Sequence, residues 1–257
     1  MTLHIETHGS GPIPLVMLHG WAMHGGIFAP LVDALRDRCT MHLVDLPGHG
    51  FSRNCGLSLQ PTACARAIAD VTPPAIWLGW SLGGLIALQA ALDVPAQVRG
   101  LAMLCATPRF VSDSDWPQGR DPALVHRLAS DLETDYYTTI ERFLALEVMG
   151  SPDPRAELRK LRAEVFARGE PDLRVLQEGI RVLDGTDLRA DLPRLQAGRS
   201  WWSAGRLDRL VHPSAMEWSA QASDGEFHLI AHAGHAPFLS HAQAVAQALL
   251  PWLETHA

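Results

Sequence analysis

The hydrophobic residues of this chain gather in short, almost uninterrupted runs, separated by longer stretches in which apolar positions recur every three or four residues. Runs such as Leu15-Val16-Met17-Leu18 and Ala75-Ile76-Trp77-Leu78 are too short for buried helices and show no polar alternation. That is how strands covered on both faces read. On this basis strands are predicted at residues 3–7, 15–18, 40–44, 75–78, 98–104, 199–204 and 226–231, with helices at 28–37, 59–71, 82–92, 214–220 and 243–254. Such alternation predicts an α/β protein with a mostly parallel central sheet and helices on both faces. The alternation stops between about 110 and 195, where only helical segments occur, broken by Pro117, Pro122, Gly150, Pro152, Pro154, Gly169 and Pro171. An all-helical insertion between two strands of one sheet reads as a lid. The core is then 1–109 with 196–257, and the lid is 110–195.

One predicted strand end carries chemistry. Gly79-Trp80-Ser81-Leu82-Gly83 closes the run 75–78 and opens a helical stretch, the strand, turn and helix order of a nucleophile elbow. Small residues flank the serine because the turn is too tight for side chains. A serine hydroxyl needs a base, and the base needs an orienting acid. Asp208, in Gly205-Arg206-Leu207-Asp208, and His235, in Ala233-Gly234-His235-Ala236, each follow a predicted strand, in the chain order acid then histidine. The run Leu15 to Leu18 leads into His19-Gly20-Trp21. The backbone N–H groups of Trp21 and Leu82 are therefore the predicted donors to the oxyanion.

Composition narrows the possibilities. A 257-residue chain that is 47% hydrophobic can bury a large single core. Its net charge of −7 argues against general nucleic-acid binding. Residues 1–11 lack a basic segment followed by an apolar one, and no apolar stretch is long enough to span a bilayer. Cys39, Cys55, Cys64 and Cys105 form no paired spacing, which reads as reduced thiols in a cytoplasmic protein. His228 and His232 share a face in extended geometry with His235 nearby, but a metal site needs a third converging ligand. Neither a metal nor another cofactor is expected, and a monomer is.

These segments resemble the α/β-hydrolases, and within them the esterases that act on a pimeloyl methyl ester carried on acyl carrier protein in biotin synthesis. The resemblance covers nearly the whole chain and rests on Leu18-His19-Gly20-Trp21, the run His42 to Gly50, the run Ile76 to Gly84, Glu141-Arg142-Phe143-Leu144-Ala145-Leu146, and Ala233 to Phe238. It implies the α/β-hydrolase fold and a serine carboxylesterase that releases methanol and a free carboxylate. It also implies that Trp80 and Phe143, Leu144, Ala145, Leu146 and Glu147 shape an acyl channel. The partner implied is acyl carrier protein, contacted by Arg142, Arg155 and Arg159. At Thr138, where a further basic residue is expected, the sequence departs.

The helix carrying those arginines can be read without the resemblance. At about 100° per residue, Arg155, Arg159 and Arg162 fall within roughly 60° of one another, with Leu158, Leu161 and Val165 on an adjoining face. Glu157 and Glu164 are expected to point the other way. The pattern fits a solvated face or a docking surface for an acidic partner. Two other functions remain open: a small-molecule esterase or carbon-carbon hydrolase with the same triad, and a binding receptor on the same fold.

Overall fold

The computed structural model describes residues 2–151 and 153–257; Met1 and the predicted breaker Pro152 lie outside them. All seven predicted strands are present: β1 (Ile5–His8), β2 (Ile13–Leu18), β3 (Cys39–Val44), β4 (Ala75–Trp80), β5 (Val98–Leu104), β6 (Ser200–Gly205) and β7 (Glu226–Ile230). They form one sheet in the order β1-β3-β2-β4-β5-β6-β7, in which only the edge strand β1 runs antiparallel. Every residue of β4 and of β6 is buried, and β2 nearly so, because helices cover both sides of these central strands.

The covering helices are α1 (Ala29–Leu35), α2 (Pro61–Ala69), α3 (Leu82–Asp93), α8 (Pro213–Ala222), α9 (Pro237–Ser240) and α10 (Ala242–His256). α1 packs on α10 and α2 on α3. The two pairs lie on opposite faces: Gly100 of β5 abuts Trp252 of α10, whereas Met103, three residues on, abuts Gly84 of α3. Between β5 and β6 the chain makes α4 (Pro122–Thr134), α5 (Tyr136–Glu147), α6 (Pro154–Val165) and α7 (Leu173–Gly185), then a short 3-10 turn at Arg189–Arg194. α4, α5 and α6 each begin with an aspartate, at 121, 135 and 153, whose carboxylate accepts from a first-turn N–H.

The four cysteines are buried free thiols. Among the described residues no helix is long and apolar enough to cross a membrane.

The strand order reverses at β2. Its neighbour β3 lies on one side and β4 on the other, so a crevice opens beyond the C-terminal ends of β2 and β4. His19-Gly20-Trp21 and Ser81 stand at that crevice.

Candidate active site

The turn after β4 forces Ser81 into φ +54°, ψ −121°, a region that side-chain-bearing residues rarely adopt. The flanking glycines make this possible. A Cβ on Gly79 would lie 2.5 Å from the Gly83 carbonyl oxygen, and one on Gly83 would lie 2.3 Å from the Leu18 carbonyl oxygen at the end of β2. The close approach of β4, α3 and β2 therefore excludes any larger residue. Ser81 becomes the cap of α3, with its N–H donating to the Leu104 carbonyl of β5.

Three chain segments bring the triad together. The Ser81 hydroxyl donates to His235 Nε2 at 3.0 Å, and His235 Nδ1–H donates to Asp208 Oδ2 at 2.9 Å. The carboxylate can only accept, which fixes the imidazole tautomer. Asp208 is held by its own loop: Oδ1 accepts from the N–H groups of Leu210 at 2.8 Å and Val211 at 3.0 Å. His235 is fully buried and Ser81 is 8% exposed, so the site is closed to bulk water.

The turn after β2 completes the crevice. His19 Nδ1–H donates to the Gly20 carbonyl at 2.7 Å, and Nε2 accepts from the Leu46 N–H at 2.9 Å. Burial, and next the neighbouring His49, push the His19 imidazole well below its usual range, so it stays neutral in both roles. Gly20 lies against Ser81: a Cβ there would be 3.2 Å from the serine Cβ. Among the described residues no main-chain group accepts from the Trp21 or Leu82 N–H. Leu82, as the first residue of α3, has no intrahelical acceptor at all. The Trp21 indole donates instead to the Leu176 carbonyl of α7 at 2.9 Å and meets the Phe143 ring at 4.8 Å.

Beside Ser81 a narrow space is lined by Leu85, Ala106, Thr107, Phe110, Leu183 and Val211. On the far side of Phe110 and Leu183 a second, wholly apolar space lies among Leu124, Val125, Leu128, Phe143 and Leu146. Of the run 143–147, expected to shape an acyl channel, two residues face this space. Consecutive residues of α5 point about 100° apart, so Phe143 and Leu146 face the space, whereas Leu144 is fully buried elsewhere and Ala145 does not line it. Glu147 lies buried behind them with no hydrogen-bond partner on either carboxylate oxygen among the described residues. Burial, and next the charge of Asp208, hold its carboxyl well above the usual range and therefore neutral.

Trp80 also departs from expectation. It is fully buried, donates from its indole to the His235 carbonyl at 2.8 Å and packs on Phe238, so it supports the histidine loop instead of lining the acyl space. Sequence reasoning missed Leu85, Ala106, Phe110, Leu183 and Val211. Only the spacing of Leu124, Val125, Leu128 and Leu132 in α4 carries a readable sign of an inward apolar face.

The arginines of α5 and α6 are exposed, as a docking face requires. Arg142, however, pairs with Asp131 at 3.2 Å and Arg162 with Glu141 at 3.3 Å, while Arg155 and Arg159 have no ion pair among the described residues. Glu157 lies on the side of α6 away from the exposed arginines: it sits four residues before Leu161, on the same buried face, and burial raises its carboxyl. Glu164 turns toward buried His24, whose Nε2 donates to the Glu164 carbonyl at 2.8 Å.

His228 and His232 do not form a pair on one face. β7 ends at Ile230, His232 has φ +60°, and His228 stacks on Trp201. Cys105, Asp208 and His235 place possible ligand atoms within 4.8 Å of one another. Burial, and next Asp208, push the Cys105 thiol far up, which keeps it protonated, and Asp208 and His235 are already bonded to each other.

A sequence model of the alpha/beta hydrolase family matches residues 15–248. The chain is 54% identical over 248 residues to a protein of Stenotrophomonas maltophilia (strain R551-3) called pimeloyl-acyl-carrier protein methyl ester esterase, covering 96% of this chain and 95% of that one. It is 53% identical over 96% of its length to a protein of the same name from Xanthomonas oryzae pv. oryzae, of which 97% is covered. An esterase from Exiguobacterium antarcticum superposes with a TM-score of 0.86 at 22% identity, covering 98% of this chain and 95% of that one, a likeness of fold.

Proposed function

This chain belongs to the α/β-hydrolase family and is a serine ester hydrolase, and on that premise we propose that it cleaves the methyl ester of a pimeloyl group carried on acyl carrier protein, in biotin synthesis in the cytoplasm. Ser81 Oγ attacks the ester carbonyl carbon as its proton passes to His235 Nε2. Asp208 stabilises the resulting imidazolium. The oxyanion is held by the N–H groups of Trp21 and Leu82. When the tetrahedral adduct collapses, the histidine proton leaves with methanol. Water, deprotonated by the same histidine, then attacks the acyl-serine and releases the free carboxylate, the far end of the acyl chain remaining on its carrier. Helices α4–α7 act as a lid that encloses the acyl chain.

The observation that carries this reading is the apolar space beside a buried Ser81, in a chain half identical over nearly its whole length to proteins with that printed name. An uncharged hydrocarbon chain ending in a neutral methyl ester fits such walls, and a charged terminal carboxylate does not. The test is turnover of methyl pimeloyl-acyl carrier protein against free methyl pimelate and short aryl esters. A much higher kcat/KM on the carrier-borne ester is expected, and equal turnover of all three rejects the proposal. Equal turnover would favour a small-molecule esterase, a reading to which neutral Thr138 and the internally paired Arg142 lend weight.

A further inference from the structure

A second basic surface lies on the acid side of the triad. A cleft of about 630 Å³ is lined by Arg120, Arg206, Leu207, Asp208, Arg209 and His212, among others. Arg206, Arg209 and His212 are exposed at its rim. Among the described residues no carboxylate pairs with any of these three arginines, and Arg120 Nε and Gln118 Oε1, also at the cleft, are buried without a partner. Asp208 adds one negative charge to the cleft wall, but its oxygens bond His235 and the Leu210 and Val211 N–H groups and none of these arginines.

Three arginines without an acidic partner gather here in a chain of net charge −7, whereas Arg109, Arg142, Arg162, Arg168 and Arg189 each have one. The cleft also adjoins the α6 face. Gly150, in the connection between α5 and α6, stands so close to Leu207 of the cleft wall that a Cβ on it would lie 2.3 Å from the Leu207 carbonyl oxygen. Arg155 and Arg159 follow within the first turns of α6. The connection that leads into α6 and its two unpaired arginines therefore abuts the cleft wall at Gly150 and Leu207.

We propose that the docking surface for the acidic carrier protein continues across Gly150 and Leu207 into this cleft, where Arg120, Arg206, Arg209 and His212 receive its carboxylates. The inference rests on the carrier-protein reading above. Charge at this second patch replaces what Thr138 and the Arg142–Asp131 pair withhold from the first. Exposed charges of this kind steer encounter and weaken with salt, so they act on carrier-borne substrate and leave the chemical step alone.

The experiment compares wild type, the double variant Arg206→Gln with Arg209→Gln, and Arg155→Gln with Arg159→Gln, on methyl pimeloyl-acyl carrier protein and on a short aryl ester. The cleft variant is expected to lose about tenfold in kcat/KM on the carrier-borne ester, through KM, with a shallower salt dependence and unchanged aryl-ester turnover. Wild-type behaviour on the carrier-borne ester, with the α6 variant impaired, overturns the cleft proposal alone. Equal losses on both substrates also overturn it, since the arginines would then support the Asp208 loop. If wild type shows no preference for the carrier-borne ester, the carrier-protein reading itself falls and the cleft proposal with it.

Discussion

The C-terminal edge of the sheet and the helices α4–α7 above it are built on different terms. At the sheet edge, Ser81, Asp208, His235 and His19 are buried, and each is held by specific hydrogen bonds in a space where backbones approach so closely that Gly79 and Gly83 cannot carry side chains. In α4–α7 the polar residues are mostly exposed, their ion pairs span open surface, and their charges are exchangeable in principle. Chemistry sits where substitution is least tolerated. The proposed selectivity for a partner draws on residues where it is most tolerated.

The largest effect that tests this contrast is on the nucleophile. Ser81→Ala should lower ester turnover by on the order of a thousandfold or more while leaving the melting temperature close to wild type, because the turn and its glycines remain. Retained turnover, measured against a trace-contaminant control, would remove Ser81 from its role.

Two glycine substitutions separate the regions next. Gly83→Ala places a Cβ 2.3 Å from the Leu18 carbonyl oxygen, a backbone atom that cannot swing aside. A loss of about 3 kcal/mol or more, or failure to fold, is expected. Gly185→Ala, at the end of α7 with nothing within 4 Å of the new carbon, should gain about 0.5 to 1 kcal/mol by restricting the unfolded chain. Denaturant unfolding of both variants measures the difference, and effects of the same sign would break the contrast.

The smallest effect concerns Glu147, where the two regions touch. Above its ordinary value of 4.5 the unfolded chain releases this proton while the folded chain keeps it, so the folded state binds more protons and stability falls as pH rises. Glu147→Gln removes that dependence. Its melting temperature should match wild type near pH 4 and exceed it increasingly toward pH 8, whereas a constant offset would mean that the carboxyl ionises normally.

The contrast also governs how much could be read from sequence. Strands and triad were legible because short apolar runs ending in Gly-x-Ser-x-Gly, in Asp208 and in His235 admit one arrangement on a parallel sheet. β5 lies at 98–104 as read, and the other strands differ by one or two residues at their ends. The helical segment was legible as helices but not as faces. Glu157 reads as opposite the arginines, but that this side is buried with Leu161 is set by packing and not by residue type, and the run 143–147 cannot face one space because a helix distributes it around its axis. Trp80 misled because its position beside Ser81 in sequence says nothing of direction: in a strand its side chain points to the face opposite its neighbours'. The basic cleft draws on residues from 117 to 214, a juxtaposition that no local pattern encodes.

The indole of Trp21, bonded at 2.9 Å to the Leu176 carbonyl, fastens the turn that presents an oxyanion amide to a helix of the overlying segment. The bond couples the two in one direction that neither sheet nor helix alone would impose: a displacement of α7 that keeps it carries residue 21 along, and one that breaks it leaves a buried indole N–H without an acceptor.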